Sequence, residues 1–196
     1  MDTITTKRSF LDILLRSSQT VFSTKDIAIL WQETDAKTIT NRLRKYVSVG
    51  KLVRVHRGFY AKDTQYNRYE LATRIYTPAY VSFESVLAQA GVIFQHYTTI
   101  YVASYISRTL TVENTVITLV RMKPSFLSNT AGITHTDGYA VASTERAFLD
   151  RLYYSPRYHF DNLDPIDWGL VDRLLPLYQN QRLEKTVPLL KNSNTL

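Results

Sequence analysis

Side chains of the types that contact nucleic acids are concentrated between Lys37 and Lys62. That segment holds eight Lys or Arg and no Asp or Glu. Arg and Asn side chains match the hydrogen-bonding edges of bases, whereas Lys, Arg and hydroxyl groups bind phosphate oxygens. A block of cations without carboxylates favours a polyanionic partner. The candidate contact residues are Lys37, Thr38, Thr40, Asn41, Arg42, Arg44, Lys45, Arg54, His56 and Arg57.

The positive charge is unevenly distributed along the sequence. The 196 residues carry a formal net charge of +7. Residues 1–62 hold twelve Lys or Arg against five Asp or Glu, and residues 63–196 hold twelve of each. The whole excess of positive charge therefore lies in the N-terminal third of the chain.

Three helices are predicted to position these residues. Spaced apolar side chains predict a helix over residues 4–16. Residues 18–22 are expected to form a turn. The string STKDIAILW then predicts a second helix, with its first or second residue as the N-cap. Thr34 or Asp35 is the predicted N-cap of the third helix.

The third helix has two distinct faces. Its predicted buried stripe consists of apolar residues at i, i+4, i+7 and i+8, which are Ile39, Leu43, Tyr46 and Val47. At about 100° per residue, Asn41 points away from that stripe, and the face around it is polar and basic. Asn41 and Arg44 are the candidates for reading bases. The other candidates on this helix are Thr38 and Thr40 for bases or phosphates, and Lys37, Arg42 and Lys45 for phosphates.

The stretch VRVHRGFYA, residues 53–61, predicts a β-hairpin with a basic tip. Gly58 allows the positive φ that a tight chain reversal requires. His56 and Arg57 would reach the DNA backbone or the minor groove, and Arg54 lies just before them. The hairpin therefore adds a second set of cations to those of the third helix.

Three helices followed by a basic hairpin predict a winged helix-turn-helix DNA-binding domain over residues 1–62. The alternative interpretation is a winged helix that binds another protein. The polar string from Lys62 to Tyr69 marks a domain boundary, so residues 63–196 form a second domain. The predicted fold class is α+β, with an N-terminal winged helix-turn-helix followed by a mixed α/β C-terminal domain.

Residues 63–196 contain both helical and strand-like patterns. One helix is predicted over residues 71–76, and two more are predicted to begin at the N-caps Ser82 and Ser143. The C-terminal segment predicts two further helices, which have Pro176 and Pro188 near their ends. The predicted strands cover 99–105, 108–122 and 133–142. This mixture is the reason for the α/β assignment.

Several kinds of site are not expected. The chain has no cysteine, which excludes disulfides, thiolate metal sites and cysteine nucleophiles. The histidines, His56, His96, His135 and His159, are scattered, so no metal site and no cofactor is predicted. No apolar run approaches the roughly 20 residues of a membrane span, and the N-terminus lacks the apolar core of a signal peptide. A cytoplasmic protein is therefore expected.

Three carboxylates of the C-terminal domain, Glu84, Glu145 and Asp150, are the candidates for catalysis. Glu145 would lie at the positive N-terminal end of its helix, and Asp150 would pair with Arg146 at i+4. These structural roles account for both residues. Since no cluster of acids with a lysine is present in the sequence, no catalytic residue is assigned, and the chain is not predicted to be an enzyme.

Three segments occur in an order and at separations that are typical of one family. They are VHRGFYA at the hairpin, YVSFESVLAQAGVI, and VASTERAFLDRLYY. The last two are the more specific, because many winged regulators share the first. Together they resemble the AbiEi antitoxins of bacterial type IV toxin-antitoxin operons, over roughly residues 11–154. Phe83, Val86 and the lack of a histidine before Gly91 depart from the usual form of the middle segment.

The resemblance implies a winged helix joined to a mixed α/β C-terminal domain. It implies that the first domain binds inverted repeats in its own promoter and represses the operon. The C-terminal domain would counteract a nucleotidyltransferase-like toxin, as part of phage defence by abortive infection and without a stable complex. Two other interpretations stay open, a ligand-responsive winged-helix transcription factor and a nucleic-acid-processing enzyme. A downstream gene for a nucleotidyltransferase-like protein would favour the antitoxin over both.

Overall fold

The computed structural model describes residues 9–95, 98–136 and 138–193. The chain folds into two compact units, the first ending at Glu70 and the second beginning at Leu71. Each unit contains helices and one β-sheet, so the prediction of a mixed α and β protein is confirmed. No helix in the described ranges is both long and apolar enough to cross a membrane.

The N-terminal unit combines three helices with a small sheet. Its elements are α1 (Phe10–Arg16), β1 (Val21–Ser23), α2 (Thr24–Trp31), α3 (Ala36–Ser48), β2 (Val53–His56) and β3 (Phe59–Ala61). The strands lie in the order β1-β3-β2, and both pairings are antiparallel. Residues 4–8 of the predicted first helix lie outside the described residues.

Two helices of this unit begin where side-chain caps were predicted. The Ser23 hydroxyl accepts a hydrogen bond from the Asp26 N–H at 3.1 Å, and the Asp26 carboxylate accepts one from the Ser23 N–H at 2.8 Å. This reciprocal pair satisfies donors at the start of α2. At the start of α3, the Asp35 carboxylate accepts hydrogen bonds from the N–H groups of Lys37 and Thr38. Both caps confirm the sequence prediction.

The hydrophobic core of the N-terminal unit lies between its helices. Ile39 and Leu43 of α3 are buried, and Tyr46 and Val47 pack against the core while remaining partly accessible. The other buried members are Leu11, Leu14, Phe22, Ile27, Trp31 and Leu52. The predicted stripe of α3 therefore faces the core, which turns its polar face outward.

The predicted turn over residues 18–22 is only partly correct. Val21 and Phe22 are fully buried and belong to β1, which pairs with β3 in the register Val21↔Ala61 and Phe22↔Tyr60. A strand of three residues carries too little periodicity to be recognised. It forms here because β3 supplies the hydrogen-bond partners and both side chains are removed from water.

The C-terminal unit is built on a mixed six-stranded sheet. The helix α4 (Arg68–Arg74) crosses the point of division, and the later elements are β4 (Ala79–Val81), α5 (Glu84–Leu87), β5 (Ile100–Ser104), β6 (Arg108–Val112), β7 (Thr115–Arg121), α6 (Pro124–Ser128), β8 (Ile133–Thr136), β9 (Tyr139–Ala142), α7 (Thr144–Tyr154), α8 (Trp168–Leu174) and α9 (Gln181–Ser193). A 3₁₀ turn, Leu175–Tyr178, links α8 to α9. The strand order is β6-β7-β5-β4-β9-β8, with parallel pairing of β4 to β9 and of β5 to β7.

A buried polar network holds α7 in the centre of this unit. The Asp150 carboxylate accepts hydrogen bonds from the hydroxyls of Tyr80, Ser82 and Tyr178 at 3.0, 2.7 and 2.6 Å. The Arg146 guanidinium lies 3.6 Å from the same carboxylate, and neither side chain is accessible to solvent. The predicted i, i+4 pair is thus confirmed. Burying the pair removes two charges from water, which is costly, and the hydrogen bonds to the pair offset part of that cost.

Two predictions about C-terminal helices are wrong. Ser82 is not the N-cap of α5, because its hydroxyl donates to Asp150 instead; Phe83 occupies the position before the helix and makes no side-chain cap. Pro188 does not end the last helix, since α9 continues through it to Ser193. Ser143, in contrast, caps α7 as predicted, through a hydrogen bond from the Arg146 N–H.

Candidate nucleic-acid interface

The outward face of α3 is polar and carries most of the predicted contact residues. Lys37, Asn41, Arg44 and Lys45 are all exposed, whereas Ile39 and Leu43 are buried on the opposite side. The helix has 13 residues, which corresponds to a length of about 20 Å. An α-helix of this length fits the major groove of B-DNA.

Five of the predicted contact residues are exposed cations that are available to a ligand. Within the part of the chain that the structure describes, their side chains form no hydrogen bond or ion pair. They are Lys37, Arg44, Lys45, Arg54 and Arg57. No partner among residues 9–95, 98–136 and 138–193 has to be displaced before these groups bind an anion.

The two threonines of α3 have hydroxyls that are already hydrogen-bonded. The Thr38 hydroxyl donates to the Asp35 carboxylate, and the Thr40 hydroxyl donates to the Ala36 carbonyl at 2.8 Å. Both side chains are half-buried. They can accept a hydrogen bond from a ligand, but they donate one only if the internal bond is broken.

Arg42 differs from the other cations of α3 in its surroundings. Its guanidinium lies 3.8 Å from the centre of the Phe10 ring and 3.6 Å from the Glu33 carboxylate. A cation over an aromatic face is attracted by the ring quadrupole. The side chain therefore packs against its own unit, and its predicted phosphate contact would require release from Phe10 and Glu33.

The tip of the β2–β3 hairpin is fixed to the start of α2. Gly58 has φ +79°, as the predicted reversal requires, and its carbonyl accepts hydrogen bonds from the N–H and the hydroxyl of Thr24 at 2.9 and 3.1 Å. These bonds hold the turn that carries the exposed Arg57. The sequence gives no local signal for them, because Thr24 and Gly58 are 34 residues apart.

The hairpin exposes its three basic residues unequally. An irregularity in the register of β2 falls between Arg54 and His56, and Val55 at that point is buried. Arg54 is exposed. His56 is half-buried, with its ring centre 6.1 Å from that of Phe59, and its Nδ1 has no hydrogen-bond partner among the described residues. Arg54 and Arg57 are therefore more accessible than His56.

Two carboxylates, Glu33 and Asp35, lie just before the first residue of α3. Hydrogen bonds from the Thr38 hydroxyl and from the N–H groups of Lys37 and Thr38 lower the pKa of Asp35. Glu33 is paired with Arg42. Because Asp35 holds a negative charge at this helix terminus, the attraction for an anion comes from the cationic side chains of α3 and not from the terminus itself.

The three carboxylates considered for catalysis are each held by protein groups. Glu84 lies 3.2 Å from the guanidinium of Arg151, and Glu145 accepts a hydrogen bond from the Asp167 N–H at 3.2 Å. Burial raises the pKa of Asp150, while Arg146 and the three hydroxyl donors oppose that shift. Among the described residues, no three His, Cys, Asp or Glu side chains are grouped so that they could hold a metal ion.

Comparison with models of known protein families and with curated proteins finds no match to this chain.

Proposed function

We propose that the N-terminal unit is a winged helix-turn-helix that binds double-stranded DNA, with α3 in the major groove and the β2–β3 hairpin as the wing. The observation that carries the proposal is the set of five exposed cations on α3 and the hairpin whose side chains have no partner among the described residues. The order of the elements, with two helices before α3 and an antiparallel hairpin after it, supports the same assignment.

The exposed side chains divide into two groups by the contacts they can make. Asn41 and Arg44 lie on the outward face of α3 and present donors and acceptors to base edges. Lys37, Lys45, Arg54 and Arg57 bind phosphates, which position the protein and supply most of the affinity. Four predicted contact residues contribute less to DNA binding, because each is partly buried or already bonded within the protein. They are Thr38, Thr40, Arg42 and His56.

The biological role follows from the resemblance to AbiEi antitoxins. In this proposal the protein binds inverted repeats in its own promoter and represses its operon. The C-terminal unit counteracts a nucleotidyltransferase-like toxin encoded downstream, without forming a stable complex. No catalytic step is assigned to this chain.

A fluorescence anisotropy titration against the gene's own upstream DNA tests the DNA-binding proposal. The full-length protein is expected to prefer this duplex to a scrambled one, and to lose affinity in Arg44→Ala and Arg57→Ala. Arg173→Ala is the matched control, since Arg173 is an exposed arginine of α8 in the other unit. Equal affinity of all three variants would refute the assigned surface.

Co-expression with the downstream gene tests the antitoxin role separately. If that gene product arrests growth, induction of this protein is expected to restore growth, and Arg44→Ala is expected to restore it equally. A toxin that this protein fails to counteract would refute the antitoxin role and leave the DNA-binding proposal intact.

A further inference from the structure

A basic depression lies on the C-terminal unit, between the end of α7 and the start of α9. It consists of two adjoining parts with volumes of about 720 and 620 Å³, and Arg182 and Thr186 line both. Pockets that bind single small molecules have volumes of about 300–1,000 Å³. Nothing in the DNA-binding proposal uses this surface.

The charged residues that line the depression, among those described, are all cations. Lys185 lines the first part, Arg157 lines the second, and Arg182 lies between them. None of the described lining residues is a carboxylate, and these three side chains form no hydrogen bond or ion pair within the described ranges. Three cations lining one depression favour a ligand with more than one phosphate.

An aromatic ring stands at the edge of the same depression. Tyr154 lines the second part and is 57% exposed, which is unusual for so large a side chain. Its ring packs edge-on against the buried Phe83, with ring centres 6.4 Å apart, and Arg151 lies 5.7 Å from its centre. The ring is therefore held from one side while much of it stays accessible. An exposed, supported aromatic ring beside cations is suited to stacking a nucleobase.

We propose that this depression binds a nucleoside diphosphate or triphosphate, with the phosphates on Arg157, Arg182 and Lys185 and the base against Tyr154. A mononucleotide fits better than a nucleic-acid strand, because Arg157, Arg182 and Lys185 line one depression rather than a long groove. The site is independent of α3 and the hairpin, so it survives failure of the DNA-binding proposal.

Competition binding with the full-length protein tests the site. N-methylanthraniloyl-labelled ADP is the probe, and unlabelled ADP, adenosine and inorganic pyrophosphate are the competitors. Arg182→Ala is expected to weaken ADP binding by about tenfold or more, because it removes a charge-assisted contact. Arg173→Ala, the matched exposed arginine on α8, is expected to change it by less than about twofold. Equal loss in both variants, or no saturable binding of ADP at millimolar concentration, would overturn the proposal.

A pair of tyrosine variants tests the base contact. Tyr154→Phe keeps the ring and is expected to retain affinity, whereas Tyr154→Ala is expected to lose about tenfold, with folding checked by circular dichroism. Unchanged affinity in Tyr154→Ala would overturn the assignment of a nucleotide as the ligand and would favour a simple polyphosphate. Much stronger competition by a single-stranded oligonucleotide than by ADP would overturn it in favour of nucleic acid.

Arg44→Ala separates this proposal from the DNA-binding one. That variant is expected to bind ADP like the wild type while losing affinity for duplex DNA. Parallel loss of ADP and DNA binding in Arg44→Ala would overturn the independent site.

Discussion

Raising the salt concentration is expected to weaken duplex DNA binding steeply, because binding releases the counterions that neutralised the phosphates. The structure offers four exposed cations for phosphates, Lys37, Lys45, Arg54 and Arg57. Each phosphate contact contributes about −0.9 to the slope of log affinity against log salt concentration. Four contacts therefore give a slope of about −3.6 for each bound protomer. Between 50 and 200 mM salt, affinity should therefore fall by about 150-fold.

The slope measured for single variants shows which side chains contact phosphates. Arg57→Ala removes one phosphate contact and is expected to change the slope to about −2.7. Arg42→Ala is the informative contrast within the same region, because its guanidinium packs on Phe10 and pairs with Glu33. Its slope is expected to stay near that of the wild type, although the variant loses some stability.

The assay is an anisotropy titration of labelled duplex at four salt concentrations, with thermal unfolding measured for each variant. A wild-type slope near zero would refute phosphate contact by these cations. A change in slope for Arg42→Ala as large as that for Arg57→Ala would refute the inference that Arg42 is retained by its own unit.

Three further predictions concern the fold. Asp150→Ala leaves a buried guanidinium without its carboxylate and is expected to lower the free energy of unfolding by about 3–5 kcal/mol, whereas the exposed Asp164→Ala leaves the denaturation midpoint unchanged. Gly58→Ala places a side chain at φ +79° and is expected to cost about 1–2 kcal/mol; an unaltered midpoint would contradict this strain. The pKa of the Asp35 carboxyl is lower in the folded chain than in the unfolded chain. The ionised carboxylate therefore stabilises the fold at pH values above its pKa in the unfolded chain, and this stabilisation is lost as the pH falls through its pKa in the folded chain. An NMR titration should show that Thr38→Val moves this pKa back toward the ordinary aspartate value, and an unchanged pKa would contradict the assigned cause.

The helices that sequence alone could predict are those whose starts carry their own signals. Ser23, Asp35 and Ser143 each precede a helical pattern, and each is the observed cap. Cap residues act on N–H groups two or three positions away, so the interaction is contained within a short string. The outward face of α3 was predictable for the same reason, since helical periodicity depends only on local spacing.

Elements defined by distant partners could not be predicted in this way. Ser82 precedes a short helix, but its hydroxyl donates to Asp150, which is 68 positions further along the chain. The strand β1 exists because β3 pairs with it from about 40 positions later. A local pattern contains no information about either partner.

The candidate site shows the same limit. Periodicity places Arg42 on the flank of the basic face, and only the structure reveals that Phe10 of α1 lies beneath its guanidinium. The clamp between Thr24 and Gly58, which fixes the hairpin tip, likewise depends on two segments brought together by the fold.

A nuclease footprint of the full-length protein on its own upstream DNA tests the central claim most directly. The proposal predicts protected segments of related, inverted sequence whose centres are separated by about one helical turn, 10–10.5 base pairs, or a multiple of it. Asn41→Ala should weaken protection of these segments while leaving non-specific binding to scrambled DNA intact. An absence of protected segments at protein concentrations that bind the DNA would contradict sequence-specific recognition by α3 and the hairpin.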